Sequence, residues 1–253
     1  MAVNSLPISV LTFVLIIASI FAGTSLRRAL PQHHLDRDSQ DVVRLGAGLI
    51  ATIAGLVLGL LIAAAKGSFD VQTAQVKQIT ADVILLDTLL EQYGPEAMPL
   101  RHGIRAQIGP FADRLWHEKE TAANEPFEAN ANAEKLYLAI LTLGPKNELQ
   151  KSVQSRAVQV TGDLVQTRLL LFVQTGKLIP TPFLVVLIFW LMIIFASFSL
   201  FSELNTTVLT FLSLFALSAS CAMFLILELG HPFSGLMAIS SEPLRHALVP
   251  LGS

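Results

Sequence analysis

The sequence predicts an all-α integral membrane protein with four transmembrane helices and a helical-bundle domain inserted between the second and third. Four stretches of roughly 20 residues are almost entirely apolar, which is the length that a helix needs to cross the hydrocarbon core. Charged residues make up only 14% of the 253 residues, against roughly 25% in soluble domains. All but four of the charged residues lie between Arg27 and Lys177, so charge is concentrated in the middle of the chain.

The two ends of the chain contain the predicted crossings. No charged residue lies in the interior of any of the four stretches. Because peptide groups in hydrocarbon must be bonded within their own segment, each stretch is predicted to be a helix. The predicted crossings are at about 8–26 and 43–65 within residues 1–65, and at about 183–201 and 208–229 within residues 182–230.

A cleaved signal peptide is the alternative interpretation of the first stretch. Signal peptides carry basic residues before their apolar run, whereas here Met1–Pro7 contains none and Arg27 and Arg28 follow the run. We therefore expect a retained transmembrane helix.

The second crossing has two distinctive faces. Small residues recur at steps of three and four, a pattern that lets another helix approach closely. The opposite face carries branched side chains, which are candidates for lining a hydrophobic constriction. Packing alone and pore lining are both open interpretations, and they are compatible. The helix-packing candidates are Gly48, Gly55, Gly59 and Ala63, with Thr52 between them, and the lining candidates are Ile53, Val57 and Leu60.

Residues 66–181 are predicted to form an extramembrane helical domain. Apolar residues at heptad spacing continue the second crossing as a helix as far as Gly94–Pro95. A shorter amphipathic helix through Ile104 and Ile108 is expected to be interrupted at Gly109–Pro110, because proline removes a helical hydrogen bond. The heptad residues are Phe69, Val76, Ile79, Val83, Leu86 and Leu90.

The second half of this domain alternates between polar and apolar segments. Residues 118–132 are polar and acidic, which predicts a loop. Residues 136–143 are mainly apolar and are predicted to form a further short turn. A long amphipathic helix then leads back toward Pro180 and Pro182, which suit the start of the third crossing. Its expected core positions are Leu149, Val153, Ala157, Val160, Leu164 and Leu171.

The arginine distribution bears on orientation. Four crossings place both termini and the domain on one side of the membrane. The short loop on the other side carries Arg27, Arg28 and Arg37, so the positive-inside rule predicts a cytoplasmic loop and an outward-facing domain. We expect a multi-pass protein of the cell inner (plasma) membrane.

The sequence contains no recognisable catalytic motif. Glycine-rich phosphate loops, GxSxG, HExxH and CxxC are absent, so we expect no catalytic residue, no metal and no cofactor. His33 and His34 beside Asp36 are a weaker candidate for a metal site than for a solvated loop. A net charge of −2 gives no reason to expect nucleic acid. Cys221 is the single cysteine, so no intrachain disulfide is possible.

The end of the fourth crossing carries a pair of ionisable residues. Glu228 and His231 are three residues apart, but Pro232 ends the helix directly afterwards. An interfacial cap is one interpretation, and an ion or ligand contact at a pore mouth is the other, because ionisable groups at membrane depth are costly. Residues 231–253 are predicted to be an interfacial segment with a last short helix.

The chain resembles the bacterial bestrophin-like membrane proteins. The resemblance is carried by the order of crossings and insert, by Ile179–Pro180, and above all by the tail Glu228–Leu248, ELGHPFSGLMAISSEPLRHAL. Within this tail, Glu228, His231, Pro232, Phe233 and Gly235 are the motif at the end of the fourth helix. The resemblance covers about Leu35 to Leu248.

Bestrophins are pentameric anion channels whose second crossing lines the pore. The resemblance therefore implies a homo-oligomer in the lipid bilayer that conducts small ions past Ile53, Val57 and Leu60. The second crossing here lacks aromatic residues, so an aromatic constriction is not expected. Glu242 is the only acidic residue that follows the fourth crossing, so calcium gating is not expected either. The bestrophin insert is cytoplasmic, contrary to the arginine count, so orientation stays open.

Two functional hypotheses follow from these observations. The first is a homo-oligomeric ion channel or pore with the second transmembrane helix lining the pathway. The alternative is a non-conducting membrane scaffold or sensor whose helical domain binds a partner protein; the acidic segment 118–132 and the long helix after the second crossing suit this role.

Overall fold

The computed structural model describes residues 5–31, 36–117, 135–174, 180–202 and 205–247. Within these ranges every regular element is helical, which confirms the predicted all-α class. A 3₁₀ turn at Pro95–Ala97 separates the second and third helices. The helices are α1 (Ser5–Ala29), α2 (Arg37–Tyr93), α3 (Met98–His117), α4 (135–141), α5 (Glu148–Gln174), α6 (Thr181–Phe201), α7 (Thr206–Leu229) and α8 (Glu242–His246).

Four of these helices, α1, α2, α6 and α7, are long and apolar enough to cross a membrane. The described residues form two compact units. The membrane unit is drawn from Met1–Ser68 and Lys177–His231, and the helical domain is drawn from Phe69–Gly176 and Pro232–Ser253. The helix that begins with the second crossing continues to Tyr93 without interruption, as the heptad pattern predicts.

In the membrane unit, α1 packs against both α6 and α7. Ile16 and Ile20 of α1 are fully buried and contact Phe195 of α6 and Leu212 and Ala216 of α7. Because lipid is as apolar as these side chains, close packing holds such helices together more than hydrophobic burial does.

The end of α6 is capped by side chains from the beginning of the chain. Arg27 Nη1 donates to the carbonyl oxygen of Ser202 at 2.6 Å, and Gln40 Nε2 donates to that of Phe201 at 3.3 Å. The last carbonyls of a helix have no partner within it and carry partial negative charge, so a guanidinium there is favourable. These bonds hold the end of α1 and the start of α2 beside the end of α6.

The core of the helical domain follows the predicted heptad. Residues of α2 at these positions are at most 6% exposed and pack against apolar residues of α3, α4 and α5. Phe69, the first of the predicted series, is only half-buried. The confirmed heptad residues are Val76, Ile79, Val83, Leu86 and Leu90, and their partners include Ile104, Ile108, Ile140, Val153, Ala157 and Val160.

Two local predictions are wrong. Pro110 lies inside an unbroken α3, because the buried Ile108 and Ala112 on either side anchor the helix to the core and offset one lost hydrogen bond. Leu149 is 69% exposed. Gln150 turns inward in its place and donates from Nε2 to the carbonyl oxygen of Tyr93 at 2.9 Å. The predicted loop at 118–132 lies outside the described residues, as do His33 and His34.

Candidate functional site

The second helix is the least covered helix of the membrane unit. Only 11% of the residues in its apolar stretch are buried within the chain, against 28–33% in α1, α6 and α7. Leu45, Leu49 and Leu56 are each more than 60% exposed. Most of the surface of α2 in this unit is therefore available to lipid, solvent or another chain.

A single face of α2 packs within the membrane unit. Ala54 is 4% exposed and contacts Leu187 and Ile194 of α6 and Met223 of α7. Ala47 and Ala65 are buried on the same side, at 4% and 0% exposure. This face lies against α6 and α7 and is distinct from the two faces identified in the sequence.

The predicted helix-packing face is open in the single chain. A Cβ atom placed on Gly48, Gly55 or Gly59 would have no atom within 4 Å, and Ala63 is exposed. The glycines therefore face no other described helix of the chain, and their role in packing stays a prediction that concerns another chain.

The lining candidates form a third face. Ile53 is 40% exposed, Leu60 is 70% exposed and Val57 is half-buried. At about 100° per residue, their face is centred roughly 150° from the glycine face and roughly 110° from the face that packs on α6 and α7. The structure places the three on one side of α2, where Ile53 and Leu60 are exposed and Val57 is half-buried.

Among the described glycines, Gly23 on α1 makes the closest approach to a neighbouring helix. A Cβ atom at Gly23 would approach Ser199 Oγ to 2.1 Å and the carbonyl oxygen of Ala196 to 2.4 Å. The only sequence signal for this contact is the four-residue spacing of Ser19 and Gly23, both of which are buried. That signal is weaker than the glycine series of α2.

The two ionisable residues at the end of α7 lie in different environments. The Glu228 side chain points inward, where residue 228 is 2% exposed, and its carboxylate accepts a hydrogen bond from the hydroxyl of Ser5. His231 is exposed, with Nδ1 2.7 Å from the carbonyl oxygen of Leu227. The contact of Glu228 with Ser5 joins the start of α1 to the end of α7.

The rest of the tail motif packs in the helical domain. Phe233 is 9% exposed and its ring meets that of Trp116 edge-on at 5.5 Å. Trp116 Nε1 donates to the carbonyl oxygen of Ile239 at 2.6 Å. Gly235 has φ 101°, a conformation that glycine adopts without strain. Buried Pro232 precedes this turn, and contact of the tail with a membrane surface stays a prediction.

A buried ion-pair cluster in the helical domain was not anticipated from the sequence. The side chain of Asp87 is fully buried and is 2.7 Å from Arg101 Nη2 and 3.2 Å from Arg105 Nη2. Glu91 also contacts Arg101, at 3.3 Å. Asp87 and Arg101 lie 14 residues apart on different helices, so no helical periodicity connects them.

An exposed ion pair joins the 3₁₀ turn before α3 to the connection between α4 and α5. Lys146 Nζ lies 2.6 Å from Glu96 Oε1, and this hydrogen bond lowers the pKa of the Glu96 carboxyl below its ordinary value of 4.5. The same bond raises the pKa of Lys146. Among the described residues, no group of three or more His, Cys, Asp or Glu side chains is placed to hold a metal ion.

Comparison with known proteins gives one finding. A family model described as a Bestrophin-like domain matches residues 14–244, a span that runs from within α1 into α8. No curated protein and no solved structure matches the chain.

Proposed function

The chain belongs to the bestrophin-like family, and from this membership we propose that copies of it assemble around a membrane-crossing ion pathway lined by α2. It is a multi-pass membrane protein. The observation that carries the proposal is the exposure of α2: the helix has one face against α6 and α7 and two faces that no other described part of the chain covers.

Each open face has a separate role in the proposal. The glycine face of Gly48, Gly55 and Gly59 allows a neighbouring helix to approach closely, since no side chain separates the two backbones. The face of Ile53, Val57 and Leu60 is directed at the pathway, where a ring of apolar side chains restricts the passage of water and ions. A pentameric assembly and anion selectivity come from the resemblance.

The same proposal includes the arrangement of the chain in the membrane. The helical domain is inserted between the second and third crossings, and the membrane is the cell inner (plasma) membrane. Orientation stays open between two alternatives. The positive-inside rule assigns the end with Arg27, Arg28, Arg37 and Arg44 to the cytoplasm, whereas the resemblance places the helical domain there. We propose no catalytic role, because the sequence lacks catalytic motifs.

A second candidate function is supported by the surface of the helical domain. Leu138, Leu141 and Leu149 are 51%, 47% and 69% exposed, although this part of the chain lies outside the apolar stretches. Exposed leucines of this kind suit a non-conducting scaffold or sensor that binds a partner protein there. Crosslinking at Leu138 in cells would then trap a different protein, whereas the channel proposal expects only the protein itself.

Ion currents test the proposed function directly. Purified protein in planar bilayers is expected to give discrete currents, and Leu60→Ala is expected to raise their amplitude because it widens the constriction. Leu214→Ala is the matched control: Leu214 is also exposed, at 55%, but on α7, and its change is expected to leave the amplitude unaltered. An assembled protein that passes no more current than an empty bilayer contradicts the proposal.

A further inference from the structure

Two aspartates of α2 are buried in the helical domain, and among the described residues only Asp87 has cationic partners at contact distance, Arg101 and Arg105. Asp82 is 6% exposed, and Gln78 Nε2 donates to its Oδ1 at 2.9 Å. Asp82 Oδ2 is buried as well, and no group in the described part of the chain donates a hydrogen bond to it. Asp82 therefore has a carboxyl oxygen that neither solvent nor a described donor reaches.

The immediate surroundings of Asp82 on α2 are apolar. Residues three before and four after a given position lie on the same side of a helix, and here they are Ile79 and Leu86. These two residues are 3% and 1% exposed and belong to the core that α2 forms with α3, α4 and α5. A carboxylate placed among such side chains loses its hydration, and an unpaired charge there is costly.

Two charged residues of α5 also act on Asp82. Asp163 and Arg156 are both exposed, and Arg156 directs Nη1 to Gln159 Oε1 at 3.2 Å. Burial has the largest influence and raises the pKa of the Asp82 carboxyl above its ordinary value of 3.8. The hydrogen bond from Gln78 and the charge of Arg156 lower this pKa, while Asp163 raises it, and the net direction is upward.

Other charged groups of the core helices interact elsewhere or are exposed. Arg101 and Arg105 of α3 pair with Asp87, Lys135 of α4 is exposed, and Arg168 of α5 stacks on a phenylalanine ring of α3. These groups give the Asp82 carboxyl no ion pair. A proton on the carboxyl removes its charge and turns one oxygen into a donor.

We propose that Asp82 is a proton-binding site that couples the packing of α5 on α2 to pH. With a proton bound, the neutral carboxyl stays in the core of the helical domain. When the proton leaves for solvent, the carboxylate needs water at Oδ2, and the contact between the two helices must open to admit it. These parts of α2 and α5 both belong to the helical domain, so the proposal is independent of ion conduction.

Packing of α5 on α2 should weaken as the pH rises. In an opened segment Asp82 is in water and has its ordinary pKa, whereas in the packed domain its pKa is higher. The packed form is therefore favoured fully in acid, below 3.8. Its advantage falls as the pH rises to the pKa of the packed form and is constant above it.

Amide hydrogen exchange of the full-length protein in detergent tests the site. At each pH, the opening of segments 76–90 and 150–164 is measured in the wild type and in Asp82→Asn, which mimics the neutral carboxyl. The ratio of wild-type to variant opening is expected to increase from acid to neutral pH, by about tenfold for each unit by which packing raises the pKa. Comparison at equal pH cancels the intrinsic pH dependence of exchange.

Glu148→Gln is the matched control. It removes a carboxyl group of α5 whose side chain is 92% exposed, so its ratio is not expected to increase with pH. A ratio for Asp82→Asn that is independent of pH, or that falls toward neutral pH, would overturn the proposal. Such a result would mean that ordered water satisfies Asp82 as a carboxylate.

Infrared spectra of the wild-type protein provide a measurement that does not depend on the folding of Asp82→Asn. One carboxyl group is expected to keep its proton at a pH where exposed aspartates are ionised. Asp163→Asn should lower the pH at which this group ionises, because it removes a like charge. Ionisation of every carboxyl group in the range of exposed aspartates and glutamates would contradict the proposal.

Discussion

The membrane unit places glycines in two contrasting environments. On α1, Gly23 is buried, and its missing side chain lets the α6 backbone come within 2.4 Å of where a Cβ atom would lie. On α2, Gly48, Gly55 and Gly59 stand in a longer and more regular series, and no other element in the described part of the chain approaches them. Gly23, whose spacing pattern in the sequence is the weaker one, therefore makes the close contact within the chain.

The buried glycine of α1 belongs to the contacts that hold one chain together. The exposed glycines of α2 belong to a surface that is available to another chain. Covered positions determine the stability of the single chain, and uncovered ones determine what it assembles with. A substitution at a covered position should therefore change the free energy of unfolding, whereas one at an uncovered position should leave it unchanged. The following predictions compare matched covered and uncovered positions.

The largest difference is expected between two ion pairs. Arg101→Met leaves the carboxylate of Asp87 buried with its main partner removed, and it should lower the free energy of unfolding by about 3–5 kcal/mol. Lys146→Met removes a pair whose lysine side chain is 72% exposed and should have almost no effect. Denaturant titration of the two purified variants measures both, and equal losses would break the comparison.

Two adjacent leucines on α2 provide the next comparison. Leu86 is 1% exposed and Leu85 is 37% exposed. Leu86→Ala opens a cavity in the core of the helical domain and should cost about 2–5 kcal/mol, while Leu85→Ala should cost less than about 1 kcal/mol in the separated chain. Thermal unfolding in detergent, at a concentration where the protein is monomeric, tests this expectation. A cost at Leu85 as large as at Leu86 would show that it is covered within one chain.

The two glycine environments differ more modestly. Gly23→Ala forces α1 away from the carbonyl oxygen of Ala196 and should destabilise the chain by about 1–3 kcal/mol, as overpacking generally does. Gly55→Ala meets no atom and should change stability by less than about 0.5 kcal/mol. Unfolding of the monomer in detergent measures both, and a larger loss at Gly55 is the contrary result.

The smallest effect is expected at the exposed pair of Glu96 and Lys146. The pKa of Glu96 is lowered in the folded protein by the hydrogen bond from Lys146. A lowered pKa stabilises the fold above pH 4.5, and that contribution disappears as the pH falls through the folded-state pKa. Comparing acid titrations of the wild type and Lys146→Met should reveal a small difference that is present at neutral pH and lost in acid. A difference that grows toward acid pH has the wrong sign.

The sequence was most informative where one physical pattern dominated. The apolar length predicted α1, α6 and α7 to within a few residues of their observed ends, and the heptad spacing predicted which side of α2 forms the core of the helical domain. Both patterns are local, since one is a continuous apolar run and the other is a repeat along a single helix. They depend only on the helical geometry and on the solvent around it.

Contacts between distant residues were not predictable in this way. Asp87 and Arg101 pair because α2 and α3 lie side by side, and the hydrogen bond from Trp116 to Ile239 depends on the path of the tail. Pro110 was expected to break α3, because its local penalty is visible in the sequence, whereas the packing of Ile108 and Ala112 that outweighs the penalty is not. Glycine spacing on α2 indicated a close approach but not which chain approaches.

The central claim is that Ile53, Val57 and Leu60 face an ion pathway, and modification of Val57 tests it most directly. In a Cys221→Ala background, Val57→Cys channels in a planar bilayer should lose most of their current when a charged thiol reagent is added, because the adduct blocks the constriction. Leu214→Cys on α7 should keep its current under the same reagent. Currents of Val57→Cys that persist after its modification has been verified by mass spectrometry would contradict the account.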